Sequence, residues 1–132
     1  MIWSHRTMIV PASLAPTVRA LAATWSGGVT MFITPLCPVE AEDQTPTHYI
    51  STGLIDAEIA AVMPWVEYGT DPETGDPVTI QHPGNPEALA AMLHEQHPEA
   101  SAEQLEGIIA ACDISTQEPR VASERLGLRL LV

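Results

Sequence analysis

Two histidines near the end of a predicted helix, His94 and His97, have the spacing that most suggests metal chemistry in this chain. Side chains three positions apart share one face of a helix, so both imidazoles could bind one zinc ion. The zinc-protease motif HExxH places its histidines four positions apart, and the segment His94-Glu95-Gln96-His97 does not match it. His82 would be a third ligand only if the fold brought it near. Because the helix dipole also favours histidine in a last turn, we predict no metal and no cofactor here.

Three carboxylates, Asp71, Glu73 and Asp76, crowd a second segment that also contains Gly75. Carboxylate oxygens are the ligands that calcium prefers, but the spacing of glycine and glutamate in an EF-hand loop is absent. Aspartate, glycine and proline are also the residues that favour turns. The segment therefore indicates a solvated turn and not a calcium site.

The candidates for nucleophilic catalysis are Ser51, close in sequence to His48, and the two cysteines Cys37 and Cys112. They lie in no GxSxG elbow, cysteine-protease signature or phosphate-binding glycine loop. The cysteines are far apart and form no CxxC motif, so we expect buried thiols, with one long-range disulfide left open. These patterns do not indicate an enzyme.

The charge distribution is the most informative feature of the sequence. All five basic residues are arginine, and the stretch from Ala20 to Pro119 contains sixteen acidic residues and no lysine or arginine. With a net charge of -12, the chain lacks the cations that displace counterions from phosphates, so we predict no binding to nucleic acid. An anionic membrane surface is disfavoured for the same reason, whereas a basic protein partner is attracted.

Length and composition predict one folded domain. The chain has 132 residues, of which 45% are hydrophobic and 17% charged, and this is enough to build a single core. Its uninterrupted apolar stretches are far shorter than the roughly 20 residues that span a bilayer, and no secretory signal is recognisable near the N-terminus. We therefore expect a protein outside the membrane, in the cytoplasm.

Local sequence patterns predict short helices and strands that belong to the α+β class. In the first half we expect a helix capped by Ser13 and ended by Gly27-Gly28, a strand at Val29–Thr34, a polar loop at Pro35–Thr47, a strand at His48–Ser51 and a helix at Asp56–Met63. In the second half we expect helices beginning at Asn85-Pro86, at the capping box Ser101–Gln104 and at Thr116, with Gly127 ending the last before a strand at Leu128–Val132.

Between these halves, residues 65–80 predict a β-hairpin with a long acidic tip from Gly69 to Pro77. Tryptophan and tyrosine are over-represented at interface hot spots, so we interpret the hairpin as an interaction arm that protrudes from the domain. Its predicted contact residues are Trp65, Val66, Tyr68, Asp71, Glu73 and Asp76. In the alternative interpretation, Trp65, Val66 and Ile80 extend the core sheet.

Four segments of the chain resemble small uncharacterised proteins of tailed bacteriophages and prophages of GC-rich bacteria. They are Met8–Ala12, Met31–Leu36, Thr47–Gly53 and Arg125–Leu128. The resemblance leaves the hairpin as an insertion and Met8 as a more usual start than Met1, and it carries over no functional residue. It implies a structural or accessory role, with the protein in the host cytoplasm during expression and in the virion or its tail.

Three functions remain open from the sequence. The leading hypothesis is a phage structural or accessory protein that acts by protein–protein interaction, either with a partner or by self-association. A second is an acidic decoy that inhibits a basic host protein. A third is a small metal-dependent hydrolase that uses His94 and His97.

Overall fold

The structure is a computed structural model that describes residues 3–25 and 32–131. The strands of these residues are β1 (Trp3–Pro11), β2 (Phe32–Pro38), β3 (His48–Asp56), β4 (Trp65–Thr70), β5 (Pro77–His82), β6 (Asp113–Ser115) and β7 (Leu128–Leu130). The helices are α1 (Ala15–Trp25), α2 (Ala57–Val62), α3 (Pro86–Gln96), α4 (Ala102–Ala110) and α5 (Pro119–Arg125), with a short 3-10 helix at Ala12–Leu14. The predicted helix end at Gly27-Gly28 and the first residues of the strand predicted at Val29–Thr34 lie outside the described residues.

The seven strands form one mixed sheet in the order β5-β4-β6-β1-β3-β2-β7. The long antiparallel pair of β1 and β3 lies at its centre and aligns Trp3 with Asp56 and Pro11 with His48. Within the part of the chain that the structure describes, β4 and β6 form the one parallel pair, and they meet only at Val66 and Ser115. A mixed sheet with separate helices confirms the predicted α+β class.

The alternation of side chains along β1 divides the core between the two faces of the sheet. Met8 and Val10 are buried on one face, where they pack with apolar residues of α1, α2, α3 and α4. Ile9 points the other way and packs with Ala122 of α5 and with apolar residues of β2, β3 and β7. The first face therefore carries most of the helices, and α5 covers the second.

Three of the predicted helix ends, at Asn85, Ser101 and Gly127, are present in the structure. The Asn85 side chain accepts a hydrogen bond from the backbone of Ala88, and Pro86 is the first residue of α3. Ser101 and Gln104 form the predicted capping box at the start of α4. Gly127, with a φ of 71°, follows α5 and satisfies the expectation of a glycine beyond the helix end.

Several element boundaries differ from the predictions. Helix α1 begins at Ala15, after the 3-10 helix, and Ser13 does not cap it. Helix α5 begins at Pro119 instead of at a Thr116 cap, because proline is favoured at a first helical position. Strand β3 continues beyond Ser51 to Asp56, and β1 and β6 have no counterpart among the predicted strands.

Strand β2 continues through Pro35 to Pro38, where the sequence predicts a loop. Proline lacks a backbone donor but keeps its carbonyl acceptor. The Pro35 carbonyl accepts from Leu131 N at 2.9 Å, and the Leu36 carbonyl accepts from Thr47 N at the same distance. The carbonyl groups of β2 therefore still form hydrogen bonds with neighbouring residues, and the strand stays in the sheet despite its prolines.

No helix in residues 3–25 and 32–131 is long and apolar enough to cross a membrane.

Candidate functional site

The β4–β5 hairpin lies at one end of the sheet. Strand β4 pairs with β5 over its whole length, from Trp65 opposite His82 to Thr70 opposite Pro77. On its other side β4 is joined to β6 through the single pair of Val66 and Ser115. Strand β5 is the last strand in the sheet order, so none of the described residues forms a strand beside its outer edge. The hairpin therefore extends the core sheet, but only its base is attached to it.

The tip of the hairpin is an ordered turn that exposes its carboxylates. Asp71 N donates to the Asp76 carbonyl at 2.8 Å, and the Asp71 carboxylate accepts from the backbone of Glu73 at 2.8 Å. Gly75 takes the positive φ of 77° that the turn requires. Glu73 and Asp76 are exposed, and none of the ion pairs found among the described residues involves a tip carboxylate. The tip is thus a hydrogen-bonded turn whose carboxylates have no ion-pair partner among the described residues.

At the base of the hairpin, Trp65 is held between neighbours from both sides. Its ring stacks on the His82 ring with centroids 4.1 Å apart and planes 8° from parallel, and the Arg6 guanidinium carbon lies 3.9 Å from its centroid. His82 comes from β5 and Arg6 from β1, on opposite sides of β4 in the sheet. Trp65 is half-buried and packs against the core. Trp65 therefore anchors the base of the hairpin to the rest of the domain.

Arg6 is a buried cation beneath this stack, with only 9% of the residue exposed. Its Nη1 donates to the His5 carbonyl at 2.8 Å, while its Nε has no hydrogen-bond partner among the described residues. Burial lowers the pKa of the guanidinium, and the nearby Glu67 carboxylate opposes that shift. Glu67 Oε1 also lies 3.2 Å from His82 Nε2. The base is therefore a compact polar and aromatic cluster.

Tyr68 attaches the opposite face of the hairpin to α5. The Arg125 guanidinium carbon lies 4.9 Å from the Tyr68 ring centroid. Arg125 Nη2 also donates to Asp113 Oδ1 at 2.6 Å, and its Nε donates to Gln117 at 2.8 Å. Of the six predicted contact residues, Trp65, Val66 and Tyr68 make contacts inside the domain, and the three acidic ones lie at the tip.

An apolar groove of about 360 Å³ opens beside the hairpin base. Its lining includes Trp65, Gln81 and His82 of the hairpin together with Ile109 and Cys112. The Cys112 thiol donates to the Ile108 carbonyl at 3.3 Å. Burial and the neighbouring Asp113 carboxylate raise the pKa of Cys112 to about 12, so this thiol is not an activated nucleophile.

The outer edge of β5 offers two backbone donors. Asp71 N bonds to the Asp76 carbonyl across the hairpin, and bonding directions alternate along an antiparallel pair. Val78, Ile80 and His82 therefore direct their backbone groups towards β4, and Thr79 and Gln81 direct theirs outward. Pro77 and Pro83, which occupy the outward positions on either side, have no N–H to offer.

The candidate histidines His94 and His97 each have a hydrogen-bond partner elsewhere in the fold. His94 Nδ1 donates to the Ala100 carbonyl, and His97 Nε2 lies 2.8 Å from Thr24 Oγ1. These contacts fix the end of α3 to its surroundings. The described residues contain no group of three or more His, Cys, Asp or Glu side chains placed to bind a metal ion.

The nucleophile candidates also lie apart. His48 and Ser51 are three positions apart on β3, so their side chains point to opposite faces of the sheet. Ser51 is buried, and its hydroxyl has no partner among the described residues. Cys37 and Cys112 are both free thiols, Cys37 buried and Cys112 partly buried.

The sequence patterns did not identify Arg6, His82 and Arg125 as parts of this site. Each contacts an aromatic residue that is distant in sequence, so local periodicity carries no signal for the pairing. A weak clue is the placement of all arginines near the two ends of a chain whose aromatic hairpin lies in its cation-free middle.

Comparison of the chain with protein-family profiles, curated proteins and solved structures finds no match.

Proposed function

We propose that this protein is a structural or accessory protein of a tailed bacteriophage and that it acts by binding another protein through the β4–β5 hairpin. It would act in the host cytoplasm and in the virion. The observation that carries the proposal is the tip, where Asp71, Glu73 and Asp76 form an ordered, unpaired acidic turn. The resemblance to phage proteins supplies the biological setting.

The structure of the base supports this role because it gives the tip a stiff support. Trp65 is packed between Arg6 and His82, and Tyr68 is covered by Arg125. A binding loop that is already ordered loses less conformational entropy when its partner arrives. The hairpin is thus suited to present its acidic tip without a folding step.

Charge indicates the kind of partner. The chain has a net charge of -12, and its tip carboxylates have no cation partner in the described residues. A basic protein surface is attracted to such a tip, and a second acidic protein is repelled. The same observation favours the second candidate, an acidic decoy for a basic host protein, and the identity of the bound protein separates the two.

The test is to produce the tagged chain together with the genes that neighbour its own, purify it, and identify bound proteins by mass spectrometry. The variant Asp71→Asn/Glu73→Gln/Asp76→Asn removes the tip charge but keeps the side-chain oxygen with which position 71 forms its turn. Its matched control, Glu40→Gln/Glu42→Gln/Asp43→Asn, removes the same charge from an exposed loop elsewhere.

We expect a virion protein to be retained by the wild type and by the loop control, and lost from the tip variant. A bound host nucleic-acid-binding protein would favour the decoy. Equal retention by the tip variant and the control, or no bound protein with any form, would contradict the proposal.

A further inference from the structure

In residues 3–25 and 32–131 no strand pairs with the outer edge of β5, and this edge carries a defined pattern of hydrogen-bonding groups. The outward N–H and C=O groups of Thr79 and Gln81 are available, and the prolines at positions 77 and 83 offer no donor on either side. An unpaired strand edge is a template for another extended chain. Here the template is short, because proline limits it at both ends.

The side chains of β5 also restrict which segment can bind at this edge. Ile80 is 48% exposed although it is a large apolar residue. It lies on the same face of the hairpin as His82, and His82 lines the apolar groove beside Trp65. A strand paired with β5 would bring an apolar side chain beside Ile80 and another towards the groove, as in known peptide recognition by strand addition.

The charges near β5 indicate which kind of segment can pair with its edge. At one end of β5 the acidic tip presents Asp71, Glu73 and Asp76 without cation partners among the described residues, and Glu106 lines the groove near the other end. A second copy of the chain would bring a further net charge of -12. Like charges repel, whereas a segment that carries lysine or arginine is complementary.

We propose that the edge of β5 binds a short extended segment of a partner protein, with basic residues towards the tip and an apolar residue towards the groove at His82. The segment forms main-chain hydrogen bonds with Thr79 and Gln81. This inference rests on the proposed function and deepens it by naming the chemistry of the partner.

The test uses the full chain and a random peptide library as the probe. Peptides selected on the wild-type protein are synthesised, and their dissociation constants are measured for the wild type, Thr79→Pro and Thr79→Val. Thr79→Pro removes one outward donor and leaves the β4–β5 hydrogen bonds in place, since the Thr79 N–H does not point towards β4. Thr79→Val keeps the donor and is the matched control.

We expect the selected peptides to be rich in Lys and Arg and to contain an apolar residue. Binding should be about tenfold weaker for Thr79→Pro, because a hydrogen bond is lost and a carbonyl of the peptide is left without its partner. Binding to Thr79→Val should be unchanged. Replacing the Lys and Arg residues of the peptide with Gln should also weaken its binding to the wild-type protein.

A second measurement needs no variant and applies even if Thr79→Pro fails to fold. Amide hydrogen exchange of the wild-type protein should slow at Thr79 and Gln81 when the selected peptide is added. Recovery of no peptide, recovery of acidic peptides, or protection elsewhere in the chain would overturn the proposal. So would a dimer in sedimentation that depends on the Thr79 donor, because the occupant would then be a second copy.

The two proposals fail in different ways. If the co-purified partner is lost from the tip variant but retained by Thr79→Pro, the proposed function stands and binding at the β5 edge is wrong. If basic peptides bind at Thr79 and Gln81 but no protein is retained from the particle, the edge binds as inferred and the proposed function is wrong.

Discussion

At the scale of single residues, two glycines with positive φ have very different surroundings. Gly84 has a φ of 56°, and a Cβ there would lie 2.5 Å from the Val62 carbonyl oxygen. Gly75 has a φ of 77°, but a Cβ there would meet nothing within 4 Å. Gly84 lies between the hairpin and α3, where the chain passes close to the backbone that follows α2.

We predict that Gly84→Ala lowers the free energy of unfolding by about 3 kcal/mol, because it adds a backbone collision to an unfavourable φ. Gly75→Ala is the matched control and should cost about 1 kcal/mol, since it adds only the strain of a left-handed conformation. Urea unfolding of both variants measures the difference. Equal losses would show that the close approach at Gly84 is unimportant.

A second residue-scale prediction concerns the Cys112 thiol, whose pKa burial raises to about 12 from an ordinary 9.0. Between these two values the folded state holds a proton that the unfolded state has lost, so stability falls as pH rises through this window and is unaffected below it. Ionisation of this one thiol lowers the free energy of unfolding by at most about 1.4 kcal/mol per pH unit. The chain has no lysine, so few other groups titrate there.

The measurement is the urea-unfolding free energy of the wild type and Cys112→Ser from pH 8 to 11, both in reducing buffer. Serine keeps a donor for the Ile108 carbonyl but does not ionise in this range. We expect the wild type to lose stability above about pH 9 and the variant to show a smaller slope. Identical slopes would contradict a buried protonated thiol.

At the scale of elements, the structure separates the hairpin into an anchored base and an exposed tip. Trp65→Ala should cost about 2 kcal/mol, because the half-buried ring packs on the core and contacts both Arg6 and His82. Replacing residues 70–77 with Asn-Gly should change stability by no more than about 1 kcal/mol, since this turn closes the paired residues Gly69 and Val78.

Thermal unfolding of the two variants tests this division. A shortened hairpin that loses its cooperative transition would show that the tip belongs to the folding core, against the arm hypothesis. A Trp65→Ala protein as stable as the wild type would show that the base is not an anchor.

Several elements that depend on local chemistry could be predicted from the sequence, whereas some that depend on distant partners could not. The caps at Asn85 and Ser101 depend only on residues within the same helical turn. The hairpin is indicated by the concentration of turn-favouring residues between its strands. Strand β6 has only three residues and exists because β1 and β4 lie on either side of it. Arg6 of β1 likewise belongs to the site only because the fold brings it against Trp65 of β4, which is distant in sequence.

At the scale of the whole molecule, negative charge is the dominant property. The net charge is -12, and among the ion pairs of residues 3–25 and 32–131 only Glu67, Glu99, Asp113 and Glu124 have a partner. Most carboxylates are thus repelled by their neighbours without compensation, which opposes the compact state. The absence of nucleic-acid binding stays a prediction from the same charge.

We therefore predict that sodium chloride raises the thermal midpoint at pH 7.5, because screening weakens repulsion between exposed carboxylates. Differential scanning calorimetry from low to moderate salt measures the effect. The loop variant Glu40→Gln/Glu42→Gln/Asp43→Asn, with three fewer negative charges, should gain less from the same salt. A midpoint that is flat or falls with salt would contradict the account of self-repulsion.

We propose that the acidic tip of the hairpin binds a basic protein, and the salt dependence of that complex tests this binding mode. The dissociation constant of the co-purified partner is measured with the wild type, the tip variant Asp71→Asn/Glu73→Gln/Asp76→Asn and the loop control. We predict that the tip variant binds at least about tenfold more weakly at low salt and loses less affinity as salt increases, because each exposed ion pair contributes up to about 1 kcal/mol and is screened. The loop control should follow the wild type. Equal affinities and equal salt dependence for the tip variant and the wild type would contradict the claim.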